Sequence, residues 1–106
     1  STCANVFNVS VSGGNFATGE KSFGYFDATG TTFPFENGII LSTGKINNAP
    51  GPNSYLSDDG GGMGWNGDSD LNDALGLSNT FNATVLEFDF IPLGNKISFD
   101  YIFSSE

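Results

Sequence analysis

Ala83-Thr84-Val85-Leu86-Glu87-Phe88-Asp89-Phe90 alternates apolar and acidic residues over its second half. Successive side chains of a strand point to opposite faces, so Leu86, Phe88 and Phe90 share one side and Glu87 and Asp89 the other. After Ile91-Pro92-Leu93-Gly94-Asn95 the alternation resumes in Lys96-Ile97-Ser98-Phe99-Asp100-Tyr101-Ile102-Phe103, which groups Ile97, Phe99, Tyr101 and Phe103. Two alternating runs joined by a Pro-, Gly- and Asn-containing turn predict an antiparallel hairpin over 83–103. Its apolar face packs inward and its acidic face looks out. A terminal Phe-rich strand without a neighbour is an open edge, which natural sheets avoid. The halt at Ser104-Ser105-Glu106 is therefore expected to be a cut through a larger β domain.

Upstream, Gly38-Ile39-Ile40-Leu41-Ser42-Thr43-Gly44 sets a short β-branched run between glycines. Such a run predicts a strand buried on both faces over Ile39 to Ser42. Val6 to Val11 alternates too, with Val6 and Asn8 opposite Phe7, Val9 and Val11, and Ser22 to Phe26 is a further short strand. Gly13-Gly14-Asn15 and Asp27-Ala28-Thr29-Gly30 are turns. Phe33-Pro34-Phe35 belongs at an edge or in an irregular approach, because proline has no N–H to give a central ladder. From Lys45 to Gly76 the chain is rich in Gly, Asn, Pro and Asp with little apolar periodicity. Long loops on a rigid scaffold are where function usually sits. Within this loop, Leu71 to Leu77 predicts one or two helical turns, capped by Asp68 or Asp70 and ended by Gly76.

With 106 residues, 38% of them apolar, the chain is expected to form one small domain with a modest core. Its 11 Phe supply much of the apolar area. Sparse Leu, Ala, Lys, Glu and Arg argue against helices. The three basic residues are Lys21, Lys45 and Lys96, against 12 acidic ones, for a formal net charge of −9. A nucleic-acid binder needs a cationic footprint, so that class is excluded, and attraction to anionic lipid is disfavoured. An acidic, Lys-poor β protein rich in Asn, Gly and Thr fits a secreted bacterial surface protein. No apolar run approaches the roughly 20 residues that span a bilayer. No basic-then-apolar leader opens the chain, so any signal peptide is expected to be gone. Cys3 is the sole cysteine. It is either a tolerated free thiol or a bridge to a cysteine outside these residues.

Several stretches match one pattern in order. They are Gly24-Tyr25-Phe26-Asp27, Gly38 to Gly44, Asn47-Asn48-Ala49-Pro50-Gly51-Pro52-Asn53, Gly67-Asp68-Ser69-Asp70-Leu71, Ala83 to Phe90 with Pro92, and Ile97 to Glu106. From about Gly24 onward the chain resembles the choice-of-anchor L domain. That resemblance implies a secreted or cell-surface protein of Bacteroidota. Such proteins are often large, with a gliding-motility-type sorting domain read by the type IX secretion system. It also implies that these residues are the first half or so of the domain. A second acidic residue, a Tyr and further Phe-rich strands would then follow Glu106, and a Cys in that continuation would be a disulfide partner for Cys3. It implies location and a surface role, not a reaction.

The acidic loop is the main chemical candidate. Asp58, Asp59, Asp68, Asp70, Asn72 and Asp73 set oxygen donors at the alternate positions that Ca²⁺ takes. The run is not an EF-hand, since its sixth position is Asp73 and its twelfth Asn79. Either a structural Ca²⁺ ties the loop down through Asp59, Asp68, Asp70, Asn72 and Asp73, or the loop is solvated with Asp caps on a short helix. Trp65, beside Met63, is either a stacking platform for a sugar, with Tyr55 and Asn53 as polar neighbours, or a plug packing the loop onto the sheets. The plug is favoured. Catalysis has little support: without His there is no Ser/His/Asp or Cys/His arrangement, and no carboxylate pair is singled out for glycoside hydrolysis. The sequons at Asn8 and Asn82 are treated as chance.

The expected fold is all-β, an antiparallel sandwich of jelly-roll or lectin-like type, incomplete over these residues. The expected function is that of a non-catalytic module of an exported, adhesin-like surface protein. It would bind a glycan or protein partner through the acidic, aromatic-containing loop, ordered by Ca²⁺. The alternative is a structural spacer or assembly segment that pairs with another chain through an open sheet edge.

Overall fold

The structure, a computed structural model, describes residues 4–52 and 64–104. It is all-β apart from one short helix: β1 (Ala4–Ser12), β2 (Phe23–Asp27), β3 (Asn37–Leu41), α1 (Ser69–Leu75) and β4 (Val85–Pro92). The strands form two two-stranded antiparallel sheets, β1 with β4 and β2 with β3. Two compact units result: residues 1–10 with 86–106, and Val11–Val85.

In the first unit, the apolar side of β4 is not packed inward as expected, with Phe88 42% and Phe90 44% exposed, and on its acidic side the Asn8 side-chain amide donates to Asp89 Oδ2 at 2.8 Å. Asn8 itself has φ +53°, a left-handed conformation that interrupts the period of two in mid-strand. Asparagine tolerates it better than the Val and Phe around it. The 83–103 hairpin requires correction. Its first arm forms, but residues 96–104 form no strand, and β4 takes β1 as its partner. Neither Gly94 nor Asn95 adopts the left-handed conformation of the two-residue turns that most favour a hairpin. Phe99, Tyr101 and Phe103 stay exposed, with the Phe99 and Tyr101 rings 6.1 Å apart.

In the second unit, the expected turn at Gly13-Gly14 forms, followed by a 3-10 turn over Phe16–Thr18. β2 and β3 pair in the register Phe23–Leu41, Tyr25–Ile39 and Asp27–Asn37, with Gly24–Ile40 and Phe26–Gly38 between. The Asp27 turn closes as read. Thr29 bonds the Asp27 carboxylate through its hydroxyl and its N–H, which holds that group below its ordinary pKa. Phe33-Pro34-Phe35 is irregular, as its proline requires, and it packs edge to face. The Phe33 ring lies 5.7 Å from Phe26 and 6.3 Å from Phe35.

β3 corrects a second expectation. It is a strand, but it is not buried on both faces: Ile39 is 63% exposed and Leu41 44%. Only the face bearing Gly38 and Ile40 is covered. The Phe26 ring lies so close over Gly38 that a Cβ there would sit 2.9 Å from it. With one paired neighbour, the side bearing Tyr25 and Ile39 is left to solvent. Among the described residues the one buried apolar residue is Ala4, at 8% exposure.

Candidate functional site

The loop between β3 and β4 holds the sequence-derived candidates. Asn53, Tyr55, Asp58, Asp59 and Met63 lie outside the described residues, as does Cys3. The rest are organised by a clamp between residues 65–68 and 80–83. Trp65 N–H donates to the Asn82 side-chain oxygen at 2.9 Å, and Asn82 N–H donates back to the Trp65 carbonyl at 2.8 Å. Ala83 N–H bonds the Asn66 carbonyl at 3.2 Å, and Asn66 bridges Phe81. Asn82 makes this reversal with φ +56°. The Thr80 hydroxyl accepts from Asp68 N–H at 3.0 Å and donates to the Asp68 carbonyl at 3.4 Å. Beyond the clamp, the Thr84 hydroxyl reaches the Ser42 carbonyl at 2.7 Å and ties the loop's exit to the end of β3.

Trp65 is half-buried, and its indole N–H donates to the Ala83 carbonyl at 2.9 Å. The one polar handle of the side chain is thus spent on backbone, which is the geometry of a packing anchor. Asn82 and Thr84 of the second sequon are likewise engaged within the fold.

α1 follows directly from local chemistry. Asp68 has extended backbone, and its Oδ1 accepts from Asp70 N–H at 2.9 Å and Leu71 N–H at 3.2 Å, a helix N-cap. Gly76, with φ +66°, ends the helix. Its N–H bonds the Asp73 carbonyl, and Leu77 N–H bonds the Asn72 carbonyl at 2.9 Å. Asp68→Ala is expected to cost about 1 kcal/mol and to lower far-ultraviolet helical signal, whereas Asp68→Asn retains most of both. An unchanged melt in Asp68→Ala would show that the cap contributes nothing.

This geometry bears on the proposed calcium ligands. Residues two apart in an α-helix point about 200° apart, so Asp70 and Asn72 face different ways. Asp70 and Asp73 share a side of α1, while the Asp68 carboxylate is turned onto the helix N-terminus. Among the described residues, no three acidic, His or Cys side chains converge on a metal position. The Asn72 side-chain oxygen is enclosed without a hydrogen-bond partner.

A buried polar group went unnoticed in the sequence. Glu20 is 3% exposed, its carboxylate accepts from the Thr18 hydroxyl, and Lys45 Nζ lies 3.8 Å from Oε1. Ser22, fully buried nearby, has a hydroxyl without a partner. Lys45 starts the long loop, so the pair fixes that loop's entrance as the Thr84–Ser42 bond fixes its exit.

The family model of the choice-of-anchor L domain matches residues 1–106, the full length. The chain belongs to the choice-of-anchor L family. The similarity noted from Gly24 onward thus extends over the first strand as well. No curated protein and no solved structure matches the chain. Choice-of-anchor domains are surface modules, typically on exported proteins. Among the described residues, no helix is long and apolar enough to cross a membrane.

Proposed function

We propose that this choice-of-anchor L chain is a non-catalytic assembly module of an exported surface protein, and that it works by docking extended polypeptide onto open sheets. One observation carries this: among the described residues each sheet has two strands, and their large apolar side chains stay unburied. Two-stranded sheets are marginal in water and gain stability from further strands or a covering layer. Burying a Phe contributes about 1.5–3 kcal/mol, so partner association has ample surface to draw on. The engagement of the Trp65 indole favours this function over sugar stacking in the acidic loop, and it moves the strand-pairing alternative ahead of the adhesin.

Calcium has no place in the proposal, because Asp68 caps α1 and Asp70 and Asn72 diverge. Millimolar calcium is expected to leave the melting temperature unchanged. A saturable rise that disappears in Asp70→Ala/Asp73→Ala would restore the metal.

The central test compares two variants of the chain by dye binding to apolar surface and by thermal melting. Phe88→Ser/Phe90→Ser, on the apolar side of β4, is expected to lower dye binding several-fold. Trp65→Ala is expected to lower thermal stability instead. Loss of glycan binding in a folded Trp65→Ala protein, with no effect of the Phe changes, would replace docking with sugar recognition.

A further inference from the structure

We infer that the docking edge is the free edge of β4, and that it takes a separate polypeptide in extended form, alternating apolar and basic residues. This rests on the open-sheet function proposed above and adds which edge and what partner.

In the β1–β4 sheet each strand has one paired edge. β1 is broken in mid-strand by the left-handed Asn8, a device that blunts an edge. β4 runs for 8 residues without a positive φ, and up to Ile91, before Pro92 removes a donor, its backbone is regular. One side of β4 presents Phe88 and Phe90, both more than two-fifths exposed, with ring centroids 6.2 Å apart. The other side presents Glu87 and Asp89. Asp89 accepts from the Asn8 amide, and among the described residues neither carboxylate joins an ion pair.

An incoming strand must match this pattern position by position. Directly opposite residues interact, and like charges there are destabilising. Positions across from Glu87 and Asp89 therefore favour Lys or Arg, and those across from Phe88 and Phe90 favour aromatic or β-branched residues. A second copy is a poor occupant. Each chain carries a net charge of −9, so two copies repel.

The test uses the whole chain and a fluorescent Lys-Val-Lys-Val-Lys-Val-Lys peptide, read by anisotropy. Saturable binding is expected, weakening about tenfold or more between roughly 50 and 500 mM salt as the charge pairs are screened. N-methylation of alternate peptide amides, which removes ladder donors without touching charge, is expected to abolish it. Glu87→Lys/Asp89→Lys should reverse the preference toward a Glu-Val peptide, while Asp70→Lys/Asp73→Lys on α1 should not. Equal binding of the N-methylated peptide would reduce the effect to bulk attraction and overturn the inference. So would self-association that excludes the peptide, or slow amide exchange showing 97–103 already paired to β4. If the Glu-Val peptide alone binds the native edge, the charge assignment fails and the open-sheet function stands. If no extended peptide binds and the Phe variants change nothing, both fall.

Discussion

Gly67→Ala is expected to be the most disruptive small substitution in the chain, costing about 3 kcal/mol or more. A Cβ at Gly67 would run into the Thr80 hydroxyl and the Thr80 carbonyl. Thr80 has nowhere to withdraw. Its hydroxyl holds both the N–H and the carbonyl of Asp68, and its carbonyl is backbone within the clamp. The added methyl therefore moves main chain, not a flexible side-chain tip. Asp68 is the next residue and caps α1, so the displacement passes directly into the helix. Gly94→Ala is the matched control, because it has open space and no left-handed backbone, and should change stability by less than about 0.5 kcal/mol. At roughly 4–8 °C per kcal/mol for a chain of this size, Gly67→Ala should lower the melting temperature by more than about 10 °C. A shift matching that of Gly94→Ala would mean that the two clamp segments are not held together.

Lys45→Met is expected to be the second most damaging change, for an electrostatic reason. The Glu20 side chain is 4% exposed and that of Lys45 38%. Removing one partner of a fully buried pair costs about 3–5 kcal/mol, because the other charge is left in a low dielectric. Water around the Lys45 head screens part of that, which brings the expected loss to about 1–2 kcal/mol. The Thr18 hydroxyl remains as a donor to Glu20 but carries no charge. Combining Glu20→Gln with Lys45→Met should restore much of the loss, since the uncompensated charge is then gone. Chemical denaturation of the two single variants and the double variant closes the cycle. Strictly additive losses would show that the two side chains do not interact.

What the sequence disclosed was local. Gly13-Gly14, the Asp27 turn, the irregular Phe33-Pro34-Phe35 and the α1 termini at Asp68 and Gly76 each follow from chemistry within a few residues. Strand partners do not. Val6–Val11 and Ile97–Phe103 both alternate, and both fit beside β4. The pairing with β1 is a long-range outcome that the alternation of either segment does not decide. The inward face of β3 was overestimated for a related reason: an apolar run reveals what a strand could bury, not whether anything covers it. The bond from the Trp65 indole to the Ala83 carbonyl is set by the clamp, and no local pattern marks it. Glu20 sits between Gly19 and Lys21 with no pattern to mark it as buried, and only its long-range neighbour Lys45 explains why it is tolerated.

The clamp has a consequence for variation within the family. Its bonds join residues 65–68 to residues 80–83, so the chain between them leaves the sheet-bearing body and returns to nearly the same place. The spacing of the two ends is fixed by those bonds, not by what lies between. Lengthening a closed loop is inexpensive, about 0.6 kcal/mol for each doubling. The tip from Leu75 to Asn79 can therefore lengthen, shorten or change composition in relatives without altering β3 or β4. Diversity among these modules should accumulate there, while Trp65, Gly67, Thr80 and Asn82 stay constant beneath it.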